Sequence, residues 1–447
     1  MNKKMNLLEG PIFSTLMKLS LPIMGTSFIQ MAYNLTDMIW IGKLGSHAVA
    51  AVGSAGMYMW LSNGLITLSK MGGQVCVGQS IGAHQKESAT QYAVGTIHLG
   101  VLFGLIYGMF ALIFHQQMIA FFHLTSQEVI AQAEIYLMLT CGFVIVHFMN
   151  QILTGLMTAI GNSQHPFIAT TAGLILNIIL DPLFIFTFDM GVMGAALATI
   201  IAQVVVFIFM IVFAKRDTIL FDQMNILEKQ KKEVFYKILK IGVPTGIQSM
   251  CFTFISMIIA RFIATFGDVA IAVQKVGSQI ESITWMSTEG FGSAVNAFTA
   301  QNYGAKSYER VTKGNSISLK TSLLWGLLTT FLLFVFARPV FQIFISEKDV
   351  IPLGVDYLQI LAFSQLFVCI EGTLGGILNG LGKTYIPSTV SITLTAARIP
   401  LVMILVNTPL GLNGIWWAIT LSSIAKGIVI LICFVFTFKK LPQNTEV

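Results

Sequence analysis

Asp37 is the first residue that suggests a chemistry, because it is an acid inside an otherwise apolar stretch, residues 19–45. A carboxylate at membrane depth costs roughly 2.5–3.5 kcal/mol on insertion scales, so a spanning helix keeps one where it faces protein, water or a cation. Gln30 and Tyr33 precede Asp37 by seven and four residues, which puts all three on one helical face. Pro22 lies about four turns below Asp37, where it can kink the helix. The stretch therefore predicts a functional polar face and a hinge.

A second acid, Asp181, follows Asn177 by four residues in another apolar segment. That spacing puts both side chains on one face of a helix. Pro182 has no N–H, so it frees a backbone carbonyl nearby. The oxygen atoms of a carboxylate, a carboxamide and a backbone carbonyl suit a hard cation. The alternative interpretation is a helix-terminal carboxylate near the membrane surface, followed by a proline turn.

The composition is that of a membrane protein. Of the 447 residues, 55% are hydrophobic and 10% are charged, and the mean hydropathy is +0.79. Soluble proteins carry about 25% charged residues. Twelve apolar segments are long enough to cross about 30 Å of hydrocarbon, and they lack the alternation of barrel strands. We therefore predict an all-α membrane protein with twelve transmembrane helices.

The net charge of +6 lies almost wholly in the connections. Lys3, Lys4 and Lys18 stand near the start, a basic run covers 215–240, and Lys439 and Lys440 stand near the end. By the positive-inside rule these segments are cytoplasmic, which requires an even number of spans. We predict a multi-pass protein of the cell membrane with both termini in the cytoplasm. The basic residues are assigned to topology, so no nucleic-acid partner is expected.

No catalytic centre is evident in the sequence. The five cysteines are scattered through apolar segments without a CxxC pattern or a Cys/His cluster, which argues against disulfides and a metal cluster. No nucleophile motif and no sizeable extramembrane domain are present either. We expect a protein that is not an enzyme and that has no cofactor.

An internal repeat divides the chain. Several residues recur at a constant offset of 222: Pro22 and Pro244, Gly45 and Gly267, Ala48 and Ala270, Gln79 and Gln301. Farther along, the offset falls to 221 and then to 220. We predict an N-lobe over 1–214, a cytoplasmic linker over 215–234, part of it an amphipathic helix on the membrane, and a C-lobe over 235–447. Six helices per lobe imply a parallel repeat, with a pseudo-two-fold axis along the membrane normal.

The repeated segments resemble the multidrug and toxic compound extrusion family. The likeness is carried by LSLPIMG, GQSIGAHQ, LTGLMTAIGNSQHP and LNIILDPLFIF in the first half, and by GFGSAVNAFTAQNYGAKSYERV and GGILNGLGKTYIP in the second. It extends over essentially the whole chain. The resemblance implies an exporter of amphiphilic, often cationic compounds in exchange for Na⁺ or H⁺, in which two six-helix lobes rock about a central cavity.

The acid in the first span looks like the DinF-like branch of that family, which has its coupling-ion site in the N-lobe. The resemblance implies that the ion site consists of Asp37, Asn177, Asp181 and Thr199, with Asn150 as a further polar neighbour. Such a site could bind Na⁺, or its carboxylates could carry a proton as a unit. In the second half, Ile259 occupies the position equivalent to Asp37.

Other polar residues at apparent membrane depth are candidates for the substrate cavity. Glu281 and Glu289 are eight residues apart and share a helix face, so they could attract a cationic drug; structural ion pairing is the equal alternative. The full set of cavity candidates is Gln30, Tyr33, Asn34, Gln248, Glu281, Glu289 and Glu371.

The expected partners are small amphiphilic or cationic substrates and membrane lipids, and the expected state is a monomer. The alternative function is that of a flippase for a lipid-linked precursor. A flippase would need a more basic cavity to hold pyrophosphate, whereas the acids of the first half favour cations.

Overall fold

The computed structural model describes residues 6–124, 126–222, 224–345 and 347–439, with only the backbone of Asp268. Lys3, Lys4 and Lys440, which the sequence assigns to the cytoplasmic side, lie outside these residues. Apart from short turns and loops, the described chain is helical.

The described residues of the first half form seven helices and a π-helical turn, Leu183–Thr187, directly after the sixth. The helices are α1 (Ile12–Gly42), α2 (Ser46–Gly82), α3 (Lys86–Ala120), α4 (Gln127–Gly142), α5 (Val144–Ala159), α6 (Gln164–Pro182) and α7 (Gly191–Lys215). The second half contains α8 (Lys232–Ala264), α9 (Asp268–Gly304), α10 (Tyr308–Val335), α11 (Ala337–Gln342), α12 (Ile351–Gly380), α13 (Tyr385–Ala396), α14 (Arg398–Val406) and α15 (Leu412–Phe438).

These helices account for twelve spanning elements. Among the described residues, nine helical segments are long and apolar enough to cross a membrane, and α4 with α5 forms a tenth span that is bent by 43°. The remaining two, α2 and α9, are longer still at 37 residues each, but they are richer in glycine and serine. Their serines satisfy their hydroxyls within the helix: Ser62 donates to the carbonyl of Met59 at 2.7 Å and Ser282 to that of Gln279 at 2.7 Å.

The backbone conformation shows the same internal repeat as the sequence. Gly45 and Gly267, which open α2 and α9, have φ angles of 107° and 91°. Gly161 and Gly382 have φ angles of 82° and 76°. Glycine adopts this region without the steric penalty of a Cβ atom. The paired glycines therefore preserve equivalent turns in the two halves.

The chain packs as two compact units. Among the described residues, one unit is 25–246, and the other combines 6–24 with 247–439. The divisions fall within α1, shortly after Pro22, and within α8, shortly after Pro244. The predicted lobe ranges, 1–214 and 235–447, stay a prediction. Each unit has its own buried apolar core, which includes Phe148 in the first and Trp416 in the second.

The segment before α1 is fixed to the start of α10. The Arg310 side chain donates to the carbonyls of Leu7 at 3.3 Å, Glu9 at 2.8 Å and Gly10 at 2.9 Å. Asn302 also donates to the Leu7 carbonyl at 3.1 Å, and the Leu7 side chain is fully buried. The beginning of α1 is thereby fastened within its own unit.

Of the basic stretch 215–240, in which part was predicted to be an amphipathic helix, residues 216–222 and 224–231 are not helical, and the helix there begins only at Lys232. Asp217 accepts hydrogen bonds from the backbone N–H groups of Ile219 at 2.8 Å and Leu220 at 3.0 Å, which closes a turn instead of a helix. Lys86 at the start of α3 then pairs with Asp222 at 2.9 Å.

Close helix packing depends on glycine at the α2–α8 crossing. A Cβ atom on Gly242 would lie 1.8 Å from the backbone oxygen of Leu68, whereas one on Gly53 would meet nothing within 4 Å. We expect Gly242→Ala to lower stability by about 1–3 kcal/mol, because the backbones must separate. Gly53→Ala should leave stability unchanged or raise it slightly, since alanine favours the helix. Thermal unfolding in detergent measures both, and equal melting temperatures for the two variants would contradict the close packing.

Candidate cation site

α6 brings the first pair of site residues together. Asn177 and Asp181 are both fully buried, and the Asn177 amide donates to Asp181 Oδ1 at 2.9 Å. The spacing of four residues predicted this shared face. After Pro182 the helix widens into the π-helical turn, in which the Phe188 N–H donates to the Leu183 carbonyl at 2.9 Å. Pro182 has no N–H to donate to the Ile178 carbonyl, so this carbonyl is released beside Asn177 and Asp181.

α1 supplies the second acid. Asp37 is only 8% exposed and lies within electrostatic range of Asp181. Tyr33, one turn earlier, lies beside Thr199 of α7 and near both carboxylates. The structure thus places Tyr33, a predicted cavity residue, among the predicted ion ligands. Gln30, which the periodicity puts on the same face, is exposed, and Asn34 is exposed as well.

The remaining predicted ligands come from α5 and α7. The Asn150 amide nitrogen donates to the Gln203 carbonyl at 2.9 Å, which leaves its oxygen free. The cluster as a whole contains an unusual number of buried oxygens without a hydrogen-bond partner in the described chain. These are Asp37 Oδ1, Asn150 Oδ1, Asn177 Oδ1 and Asp181 Oδ2. The hydroxyls of Tyr33 and Thr199 lie beside each other, so each is available as the partner of the other. Leaving a buried polar group unpaired costs about 1–3 kcal/mol, so such a set points to a missing partner.

Two residues near the cluster were missed by the sequence reasoning. Tyr136 of α4 is buried and lies within electrostatic range of Asp37, Tyr33 and Asp181. Trp40, three residues after Asp37, has a buried indole N–H without a partner in the described chain. Neither carries a charge or a motif, so no sequence signal marked them.

The chemistry of the cluster is that of a site for a small cation. Its donor atoms are carboxylate, carboxamide, hydroxyl and carbonyl oxygens, the ligands that hard cations prefer. Among the described residues, Asp181 is the charged group that acts on Asp37, and no basic side chain offsets the pair. Two buried carboxylates in this position need either a bound cation or a shared proton. No cluster of three or more His, Cys, Asp or Glu occurs in the described chain.

The second unit contains buried charges of both signs instead. Glu371 of α12 pairs with Lys426 of α15 at 2.8 Å, with side chains 17% and 7% exposed. Arg398 donates to Ser422 Oγ at 2.7 Å and to Ser423 Oγ at 3.0 Å, and it lies within electrostatic range of Glu371.

Glu281 of α9 joins this charged group. It accepts hydrogen bonds from Gln365 at 3.2 Å and Tyr357 at 3.5 Å, and both Arg398 and Lys426 act on it electrostatically. Glu289, eight residues later, is exposed, so the two acids do not share one environment. Gln248 of α8 is half-buried.

The duplicated spanning helices and the buried acidic cluster define a class, the polytopic membrane transporters. The chain belongs to the MatE family, whose family model matches residues 22–183 and again residues 244–404. The two matches begin at Pro22 and Pro244, the first pair of the sequence repeat. The resemblance stated from the sequence is therefore confirmed.

Similar proteins of known sequence are described as multidrug proteins. A probable multidrug resistance protein NorM of Thermotoga maritima is 27% identical over 430 residues, which cover 94% of this chain and 91% of that protein. The multidrug export protein MepA of Staphylococcus aureus is 26% identical over 418 residues, covering 93% of this chain and 91% of MepA.

Solved structures confirm the fold. An outward-facing multidrug resistance MATE family transporter of the MOP superfamily superposes with a TM-score of 0.91, at 24% identity, over 98% of each chain. A MATE structure in complex with MaL6 superposes with a TM-score of 0.92, at 23% identity, over 98% of this chain and 99% of that one. The predicted fold class, an all-α membrane protein of twelve helices in two lobes, is confirmed.

The buried ion pair of the second unit gives a prediction about stability. Glu371→Gln should destabilise the protein by about 3–5 kcal/mol, because it leaves the Lys426 ammonium buried without its partner. Glu289→Gln is the matched control: the side chain is exposed, and we expect a change within about 0.5 kcal/mol. Thermal unfolding in detergent gives the comparison.

A double variant separates the ion pair from other effects at this position. Adding Lys426→Met to Glu371→Gln removes the unpaired charge and should restore much of the lost stability. If Glu371→Gln alone unfolds at the wild-type temperature, the pair is not a structural element.

Proposed function

We propose that the protein is a secondary active multidrug efflux antiporter. It exports amphiphilic, often cationic compounds in exchange for Na⁺ or H⁺, by alternating access of its two lobes. The observation that carries the proposal is the buried acidic cluster around Asp37 and Asp181, with its unpaired oxygens and no compensating base. Membership of the MatE family and the multidrug descriptions of NorM and MepA support the transport of drugs.

In this proposal the cluster binds the coupling ion, and the protein transports that ion across the membrane. Asp37 and Asp181 supply the charge, and Asn177, Thr199 and Asn150 supply neutral oxygens. We add Tyr33, because its hydroxyl lies beside Thr199. Moving one charge across 100 mV releases about 2.3 kcal/mol, which helps to drive export against a concentration gradient. Na⁺ and H⁺ both fit these donors.

The drug contacts are proposed among the polar residues that remain accessible. Gln30, Asn34 and Glu289 are exposed and Gln248 is half-buried. Glu281 and Glu371 are engaged by Gln365 and Lys426, so we assign them to the internal network of the second unit. This assignment favours the ion-pairing alternative for those two acids.

We further propose that the protein is a monomer in the cell membrane, surrounded by lipid, with both termini in the cytoplasm. Lys18 and the basic residues of the linker support this orientation through the positive-inside rule. The N-terminal end of α1 is then cytoplasmic, and Asp37 lies in the outer half of the helix.

The first test concerns Asp37. In proteoliposomes loaded with a fluorescent cation such as ethidium, efflux is measured under an imposed Na⁺ gradient and, separately, under a pH gradient. We expect one gradient to drive efflux in the wild type and Asp37→Asn to abolish it, because the cluster then lacks one of its two charges. Folding and membrane insertion should be unaffected.

Asp189→Asn is the control, since Asp189 is an exposed acid in the loop after the π-helical turn. It should retain wild-type efflux. Normal gradient-driven efflux by Asp37→Asn would refute the coupling site. If neither gradient drives efflux in the wild type, the flippase alternative becomes the better proposal, and translocation of a lipid-linked precursor is then measured.

Pro22 is proposed as the hinge of α1. The helix is continuous through Pro22, yet its residues up to Met24 belong to one unit and its residues from Gly25 onward to the other. We expect Pro22→Ala to lower the maximal rate of coupled efflux, since restoring the backbone hydrogen bond stiffens the helix. The ion concentration for half-maximal rate should stay unchanged. Pro352→Ala, at the start of α12, serves as control, and an unchanged maximal rate for Pro22→Ala would remove this proline from the mechanism.

A further inference from the structure

The first unit contains a cavity of about 410 Å³ that is separate from the residues of the cation cluster. It lies where α1 ends and where α2, α4 and α7 begin. Its lining includes Leu44, Ser46, His47, Glu128, Gln132 and Val192, and we call it the outer cavity. All of these residues belong to the unit that contains the cation cluster.

Two walls of the outer cavity, formed by α4 and α7, lead along their helices to the cation cluster. On α7, Val192 precedes Thr199 by seven residues. Seven residues make about two helical turns and rise about 10 Å, so these two residues lie on the same helical face. On α4, Gln132 precedes Tyr136 by one turn in the same way. Leu44 lies in the turn after α1, which ends at Gly42.

The intervening positions on α7 are small, whereas on α1 the large side chains of Trp40 and Ile41 follow Asp37 by three and four residues. On α7, Ala195 and Ala196 stand between Val192 and Thr199, and both are fully buried. On α1, the Trp40 indole N–H is buried without a partner in the described chain. Gln132 of α4 has a buried side-chain oxygen that likewise lacks a partner there. Unpaired polar atoms thus continue from the cluster to the wall of the outer cavity.

Glu128 gives the outer cavity its preference for cations. Its carboxylate lies 3.5 Å from His47 Nδ1 and accepts a hydrogen bond from Gln132 Nε2 at 3.2 Å. Both Glu128 and His47 are exposed, so the carboxylate is open to ions from the solvent. The N-termini of α2, α4 and α7 contribute partial positive charges to the wall, so a cation is attracted locally, at the Glu128 carboxylate, and not by the cavity as a whole. A carboxylate in a cleft raises the local concentration of cations and their rate of entry.

We propose that the outer cavity is the port through which the coupling cation reaches the Asp37 cluster. Glu128 recruits the cation, and the carbonyl oxygen of Gln132 receives it on the way to Tyr136 and Asp37. This inference rests on the proposed antiport and on the proposed orientation, which puts the port on the outer face of the membrane.

The first experiment measures dye efflux from proteoliposomes at increasing concentrations of whichever ion drives it. Glu128→Gln should raise the ion concentration for half-maximal rate roughly tenfold, at the lower end of the effect of a charged cleft, and leave the maximal rate unchanged. Glu134→Gln, two turns along the same helix and outside the cavity lining, should leave both values unchanged. Equal half-saturation for Glu128→Gln and wild type would overturn the recruiting role.

The second experiment blocks the port. In a background in which the five cysteines are replaced by alanine, Gln132→Cys is treated on intact cells with a membrane-impermeant trimethylammonium thiosulfonate. The bulky adduct should slow coupled efflux severalfold, and a high concentration of the coupling ion should retard the modification. Ala131→Cys, exposed on the neighbouring position of α4, should be modified without loss of efflux. A modified Gln132→Cys variant that exports at the unmodified rate would overturn the port.

Asp37→Asn distinguishes the two levels of the proposal. If this variant is uncoupled while the Glu128 and Gln132 variants behave as wild type, the antiport stands and the port is wrong. If Asp37→Asn remains coupled, the port fails together with the cluster that it serves.

Discussion

The structure depends on the burial of two carboxylates that repel each other. Asp37 and Asp181 come from α1 and α6, and no basic side chain of the described residues offsets them. Their neighbours supply oxygens, several without a hydrogen-bond partner in the described chain. Burying such a pair is unfavourable unless a cation or a proton joins it. The packing of α1 against α6 therefore depends on the charge state of this acidic cluster.

The two halves of the repeat differ in how they balance buried charge. An offset of 221 carries Asn150 to Glu371, Asn177 to Arg398 and Asp181 to Val402, while Asp37 corresponds to Ile259. The amide positions of the first half thus hold charges in the second, and the acid positions hold buried aliphatic side chains. In the second unit Glu371 finds Lys426 within the chain, so its charges are balanced without an ion. Among the described residues, the first half of the repeat thus buries two acids without a basic partner, and the second half buries acids together with basic side chains.

Much of this was predictable from the sequence, for reasons that particular residues make plain. The spans follow from hydropathy, the repeat from glycines such as Gly45 and Gly267, and the contact of Asn177 with Asp181 from their spacing within one helix. Periodicity gives the direction of a side chain but not the presence of another helix at that height. For this reason Gln30 is exposed although it shares a face with Asp37. Tyr136 lies near the cluster although no sequence pattern predicted it. The helix expected in the linker is absent from residues 216–222 and 224–231, where Asp217 closes a turn through local hydrogen bonds that an amphipathic pattern does not reveal.

α1 connects the acidic cluster to the rest of the molecule. Its first residues pack with the second unit, next to the segment that Arg310 fastens, and its residues from Gly25 onward pack with the first. Pro22 lies just before that division and removes one backbone hydrogen bond there. A change in the charge balance at Asp37 alters the force on the far part of α1, while the near part is held. The helix must then either bend near Pro22 or transmit the force along its axis, and a missing hydrogen bond makes bending the easier response.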